Sequence, residues 1–249
     1  MSRVLTCLIA LWLLFFSIWA LERTKADGLQ MDLPIGPPRP DIHIPKPNLP
    51  EPPHYEEDDF DPQLFDEEVE SEGDSIIYVL DISGSMRGGY MSYTGLDGET
   101  TSGSRLDRAK VELIRSLMSL TEDFKFNVIA YDCAIQKWEN RTRRATPRNK
   151  SRATAWIQAL EPAGATGTGP ATALALQDKH NFLVILLSDG APNCIGDSWC
   201  DIEAHRTMIK NANTHGARIH TFGIDAYGSF EDFLRNVASD NGGCYYPVN

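Results

Sequence analysis

The chain has little of what most catalytic folds need. Its 249 residues hold five cysteines and six histidines. Cys194 and Cys200 have no second Cys-x-x-Cys nearby that would suggest zinc, and His205 lacks a second histidine at helical spacing, which excludes a zinc protease. No Gly-x-Ser-x-Gly pentapeptide occurs, and the histidines at 43, 54, 180, 205, 215 and 220 form no triad pattern, so serine hydrolysis is excluded as well. There is no Gly-x-x-x-x-Gly-Lys-Ser/Thr loop, and Gly167-Thr168-Gly169 is only a fragment of a dinucleotide fingerprint. No internal repeat is evident.

Charge is also missing from most of the chain. The formal net charge is −12, but between Asp27 and Asp74 fifteen Asp and Glu face only Arg39 and Lys46, whereas residues 75–249 carry eighteen Lys and Arg against nineteen Asp and Glu. The acidity belongs to one segment and says little about what the rest binds. In that segment Pro34, Pro37, Pro38, Pro40, Pro45, Pro47, Pro50, Pro52 and Pro53 space out few apolar residues, as in an extended polyproline-like spacer. The acidic clusters 56–61 and 66–70 then repel one another and stay solvated. A proline-motif ligand or a calcium-buffering tail is the functional alternative to a plain spacer.

Arg3 precedes one uncharged apolar run, Val4 to Leu21, which reads as an export signal. Its eighteen residues exceed the ~7–15 of a usual signal core and just reach bilayer-spanning length, so a cleaved signal and a retained anchor both fit. The expected organisation is therefore a signal or anchor over 1–26, a disordered linker over 27–74 and one folded domain over 75–249.

Within that domain the segment Asp81-Ile82-Ser83-Gly84-Ser85 follows the apolar run Ile76 to Leu80. One carboxylate and two hydroxyls thus fall on the turn at the carboxyl end of a buried strand, where open α/β sheets bind ligands. Hard oxygen donors there suit Mg²⁺, with Mn²⁺ or Ca²⁺ as alternatives; serines that merely cap a helix are the plainer reading. Two more oxygens come from other elements: Thr166, in the glycine-rich stretch 162–168, and Asp189, ending the apolar run Phe182 to Ser188. A phosphatase of the haloacid dehalogenase type would need a second carboxylate where Ser83 stands.

In order and spacing, Asp81/Ser83/Ser85, Thr166 and Asp189 resemble the metal-ion-dependent adhesion site of the von Willebrand factor A family, with the likeness running from 75 to 249. The resemblance implies an open metal position that takes an Asp or Glu carboxylate from a protein partner. It further implies direct coordination by Ser83 and Ser85, a ligand-sensitive contact from Thr166, and waters and charge held by Asp81 and Asp189. A non-catalytic adhesion module is thus expected, with a scaffold whose metal only stabilises its own loops as the alternative. No nucleic-acid partner is expected, and membrane contact only through the N-terminal segment, with the domain extracytoplasmic.

Element signals alternate. Strands are expected at 75–81, 126–132, 182–188, 218–224 and near Tyr245, with an antiparallel edge at 135–139. Helices are expected at 106–120, 153–160, 171–178, 202–214 and 230–238. The fold class is a doubly wound three-layer α/β sandwich: a mostly parallel six-stranded sheet, one antiparallel edge strand and helices on both faces. The loop 87–104 leaving the metal turn is either a specificity element or a disordered insertion, and the basic residues Arg141 to Arg152 read as a solvated loop. An exported domain favours a local Cys194–Cys200 bridge, leaving Cys133 and Cys244 as buried free thiols.

Overall fold

Consecutive side chains of one strand build both layers of the core. In β3 (Ser75–Asp81), buried along its whole length, Ile76, Tyr78 and Leu80 point into one hydrophobic cluster and Ile77 and Val79 into another. This is the pattern of a strand covered on both faces. The computed structural model describes residues 63–65, 67–68, 73–190, 192–196, 198–199 and 201–249. The apolar run at 4–21 and the proline-rich stretch lie outside the described residues. Among the described residues no helix is long and apolar enough to cross a membrane.

Beside β3 run β6 (Lys125–Tyr131) on one flank and β9 (Leu183–Ser188), β12 (Arg218–Ile224) and β13 (Tyr245–Val248) on the other, all parallel. β7 (Ile135–Lys137) closes the sheet antiparallel to β6, giving the expected six-strand path. The two residues of β8 (Arg143–Arg144) also pair antiparallel with β6. Helices α1 (Arg105–Ser119) and α2 (Pro147–Gln158) cover one face, through Leu106, Leu113, Leu117, Ala153 and Ile157. Helices α3 (Thr168–Ala175), α4 (Ile202–Ala212) and α5 (Ser229–Asp240) cover the other, through Ala171, Ala175, Ile209, Phe233, Leu234 and Val237. Side chains cap three helix starts, Thr146 on α2 by accepting from Asn149 N–H. Ser104 and Asp107 form a reciprocal capping box on α1, and Asp201 accepts from Ala204 N–H at 2.8 Å on α4.

The chain leaves β3 toward β6 and later returns on its other side through β9, so the strand order reverses at β3. That reversal opens a crevice at the carboxyl ends of β3 and β9. Leu80 pairs with Leu187, which brings Asp81 level with Ser188 and one residue short of Asp189.

Three local outcomes differ from the sequence expectations. The 87–104 segment is ordered as a hairpin, β4 (Met91–Thr94) on β5 (Thr100–Gly103), with Met91 and Gly103 buried. The basic run is not a free loop. It spans β8 and the start of α2, Arg143 and Arg152 both pair with Glu139, and Lys150 donates to the carbonyls of Met118 and Leu120 at the end of α1. The disulfide is Cys133–Cys194, not Cys194–Cys200. The short hairpin β10 (Cys194–Ile195) on β11 (Ser198–Trp199) sets Cys194 opposite Trp199, while tertiary packing brings Cys194 to the end of β6. Cys200 lies outside the described residues. Cys244 is free as expected but exposed rather than buried.

Packing also reaches into the acidic segment before the domain. A hairpin of β1 (Gln63–Leu64) and β2 (Glu67–Glu68) buries Leu64 in the α1-side core and stacks the Phe65 ring 5.3 Å from that of Phe222, with the Arg108 guanidinium 5.6 Å away. We expect Leu64→Ala to lower unfolding free energy by about 2–4 kcal/mol in urea titration, as for other buried leucines. A linker leucine in solvent would change it by less than about 0.5 kcal/mol.

Candidate metal centre

The centre is built from three turns, two leaving the parallel strands β3 and β9 and one joining helices α2 and α3. Asp81 is fully buried at the end of β3, and both its oxygens are engaged: Oδ1 accepts from the Ser83 amide at 2.8 Å, and Oδ2 from the Ser188 hydroxyl at 2.6 Å. Ser188 Oγ in turn accepts from Gly190 N–H at 2.9 Å. The amide bond closes a tight turn at Asp81, followed by a single 3₁₀ turn over Gly84–Arg87, and brings the Ser83 and Ser85 hydroxyls to 3.1 Å from each other. Ser83 is buried and Ser85 is exposed, so the pair opens from the core toward solvent.

Thr166 is buried and belongs to a second turn stitched to the first. Ala163 N–H donates to Ile82 O at 2.8 Å, and Gly84 N–H to Gly164 O at 3.0 Å. Gly164 has φ +67°, and a Cβ there would approach the Asp132 carboxylate to 2.8 Å, so glycine is required on both counts. The loop after β9 grips the same turn. Thr166 N–H donates to Asn193 Oδ1 at 2.9 Å, and the amides of Asn193 and Cys194 donate back to Thr166 O. The Cys133–Cys194 bond and the Gly167 N–H to Asp132 O contact tie this cluster to the end of β6.

Asp189 is buried beside Asp81 on the third turn. Burial first, and the neighbouring Asp189 charge second, push the Asp81 carboxyl up to about 7; the hydrogen bonds from Ser188 and Ser83 only partly offset this. Arg105, the first residue of α1, stands 3.6 Å from Asp189 Oδ2, donates to Ser85 O at 3.0 Å, and binds Asp225 Oδ2 at 2.5 Å. Asp225 itself sits at φ +52° just past β12.

All five oxygen-bearing residues singled out in the sequence therefore lie at the β3/β9 crevice, on turns bonded to one another. Sequence reasoning missed Ser188, Asn193 and Arg105. Ser188 was readable as the residue in register with Asp81; Asn193 and Arg105 carry no local signal, because each reaches the centre through tertiary packing.

The donor set fits a small hard cation. Among the described residues no three His, Cys, Asp or Glu side chains gather in one place; the centre offers two carboxylates and three hydroxyls instead. Neighbouring ligands of an octahedral Mg²⁺ at ~2.0–2.1 Å are about 2.9–3.0 Å apart, and the two serine oxygens stand at 3.1 Å.

A model of the von Willebrand factor type A domain matches residues 98–247, which include Thr166 and Asp189 and begin after Ser85. Among curated proteins, the chain is 27% identical over 185 residues to mouse inter alpha-trypsin inhibitor heavy chain 4, covering 68% of this chain and 17% of that protein. It is 24% identical over 181 residues to human inter-alpha-trypsin inhibitor heavy chain H3, covering 68% and 18%. The match thus spans less than a fifth of those relatives. Among solved structures, a von Willebrand factor type A protein from Catenulispora acidiphila superposes with TM-score 0.53 at 19% identity, covering 72% of this chain and 39% of that one. The pilus adhesin SpaC from Lactobacillus rhamnosus GG, in its open conformation, gives 0.53 at 13%, covering 70% and 28%. At these identities the structural likeness establishes the fold alone.

The raised Asp81 carboxyl gives a pH test. Its folded value lies above the unfolded value of about 3.9, so its favourable share of stability is full below that value and is lost as pH rises through about 7. Without divalent ions, the thermal midpoint should fall more between about pH 5 and pH 8 in the native protein than in Asp81→Asn. Parallel curves for the two proteins would remove Asp81 as the strained group.

Proposed function

We propose a function for a chain that belongs to the von Willebrand factor type A domain family: a non-catalytic, extracytoplasmic adhesion module that binds a protein partner through Mg²⁺ at the β3/β9 crevice. The observation carrying this reading is the Ser83/Ser85 hydroxyl pair, 3.1 Å apart and opening to solvent above the buried Asp81–Asp189 pair. Ser83 and Ser85 would hold the ion directly, with Thr166 as the contact sensitive to the partner. Asp81 and Asp189 would supply charge from behind, Asp81 being already turned inward to Ser83 N–H and Ser188 Oγ. The bound ion would supply an electrophilic position open to an oxygen ligand. In this reading an Asp or Glu carboxylate on the partner is a ligand there and undergoes no reaction.

The wider setting follows the same reading. Residues 1–26 would export the chain, and the proline-rich acidic stretch would space the domain from its point of attachment. The Cys133–Cys194 bond supports an oxidising compartment.

Arg105 favours one second reading. Its guanidinium beside Asp189 and Ser85 O is an internal cation that braces these turns, as a scaffold with a purely structural metal would need. The two readings part at the partner.

Two measurements follow. Titration calorimetry should find one Mg²⁺ or Mn²⁺ site in the native protein and none in Asp81→Ala; unchanged binding in that variant would reject the centre. Thr166→Ala should weaken chelator-sensitive capture of a partner from envelope extracts about tenfold while changing Mg²⁺ affinity less than about threefold. Equal losses in both would favour the scaffold.

A further inference from the structure

Among the described residues, the three most exposed large apolar side chains are Tyr90 at 88%, Trp199 at 77% and Tyr227 at 68%. All three follow the carboxyl ends of parallel strands, Tyr90 after β3, Trp199 after β9 and Tyr227 after β12. They stand on turns already tied to the candidate metal centre. Gly89, next to Tyr90, lies so close to Arg105 and Asp225 that a Cβ on it would come within 3.2 Å of Asp225 Oδ2. Tyr227 follows Asp225 by two residues and sets its ring 6.3 Å from that of Phe230, whose carbonyl crowds Gly190 beside Asp189. Trp199 is opposite Cys194 in the β10–β11 hairpin, and Cys194 N–H holds Thr166 O. Among the described residues the apolar side chains exposed near the amino-terminal edge are less exposed, Met118 at 53% and Phe182 at 45%, the latter edge-on against His215.

Single exposed apolar side chains are ordinary, but here the three most exposed large ones among the described residues all fall after strands at one edge of the sheet, the edge that carries the candidate metal centre. Tyr and Trp are also the side chains that dominate binding energy at protein interfaces. We infer that Tyr90, Trp199 and Tyr227 form a docking rim around the metal centre, and that the partner is a protein segment whose metal-seeking carboxylate is flanked by apolar or aromatic residues. Within this rim the carboxylate sets the attachment point, while the flanks cover the rings and set specificity. The inference rests on the metal-borne reading above and adds the chemistry of the partner to it. A carboxylate flanked by glycine and serine would leave the rings in water and gain nothing from them.

The test uses the full chain and displayed peptides of roughly nine residues with Asp fixed at the centre and the other positions randomised. Selection in Mg²⁺, with elution by chelator, should enrich Phe, Tyr, Trp, Leu, Ile or Pro within about three positions of the Asp. The triple variant Tyr90→Ser, Trp199→Ser, Tyr227→Ser should bind Mg²⁺ as the native protein does, yet lose at least about tenfold in affinity for the best peptide, or roughly 1.4 kcal/mol. Peptides that depend on Mg²⁺ but show no flanking preference, or that bind the triple variant equally well, overturn the rim and leave the metal reading standing. If no peptide depends on Mg²⁺, the metal reading fails and the rim with it. Mg²⁺-dependent self-association abolished by the triple variant would assign the rim to a second copy of this chain and overturn a foreign segment as its occupant.

Discussion

Two carboxylates held out of water beside each other constrain everything at the carboxyl edge of this sheet. Asp81 ends β3 and Asp189 directly follows β9, its parallel neighbour, so their register leaves the two carboxylates little freedom to separate. Burial first, and the neighbouring Asp189 charge second, hold the Asp81 carboxyl above the usual carboxylate range. The surrounding residues answer the buried pair from inside, with Ser188 and the Ser83 amide on Asp81 and Arg105 beside Asp189. On the outside stand the buried Ser83 hydroxyl and, next to it, the exposed Ser85 hydroxyl. The proposed reading, a cation and then a partner's oxygen, rests on a site that partly neutralises itself and stays open on one side.

The turns around the pair differ in how firmly they are held. Asp81, Ser83 and Ser85 share one short segment, so their placement is local. Thr166 reaches the centre only because its turn is bonded to Ile82 and Gly84 on one side and to Asn193 and Cys194 on the other. The Cys133–Cys194 bond locks that second grip to the end of β6. Strands in register thus fix the charges, while loops cross-linked to one another fix Thr166. Exposed aromatic rings on the outermost turns extend the same edge into solvent.

Much of this was legible in the sequence because it is local or periodic. The buried runs at 76–80 and 183–187, the apolar face of α1 and the Asp-x-Ser-x-Ser spacing each state their own structure, and the β-α alternation sets the layers. The crevice followed from those runs, since parallel strands must end on one side. What depends on contacts between distant segments was not legible. Nothing near Arg105 in the chain points to Asp189 or Asp225. Sequence proximity favoured Cys200 as the partner of Cys194, whereas the fold delivers Cys133. The 87–104 segment, rich in Gly, Ser and Thr, hides a hairpin whose pairing depends on α1 beneath it, and Leu64 and Phe65 sit in an acidic stretch that otherwise reads as solvated.

The central claim is that one divalent ion is held by hydroxyls above a buried carboxylate pair. Its most direct test is an anomalous-difference map from crystals of the domain soaked in Mn²⁺, measured near the manganese edge. A single peak bonded to Ser83 Oγ and Ser85 Oγ, with Asp81 and Asp189 behind it, is the expected result. A map with no peak at the crevice, or with its peak on carboxylates elsewhere, would contradict it.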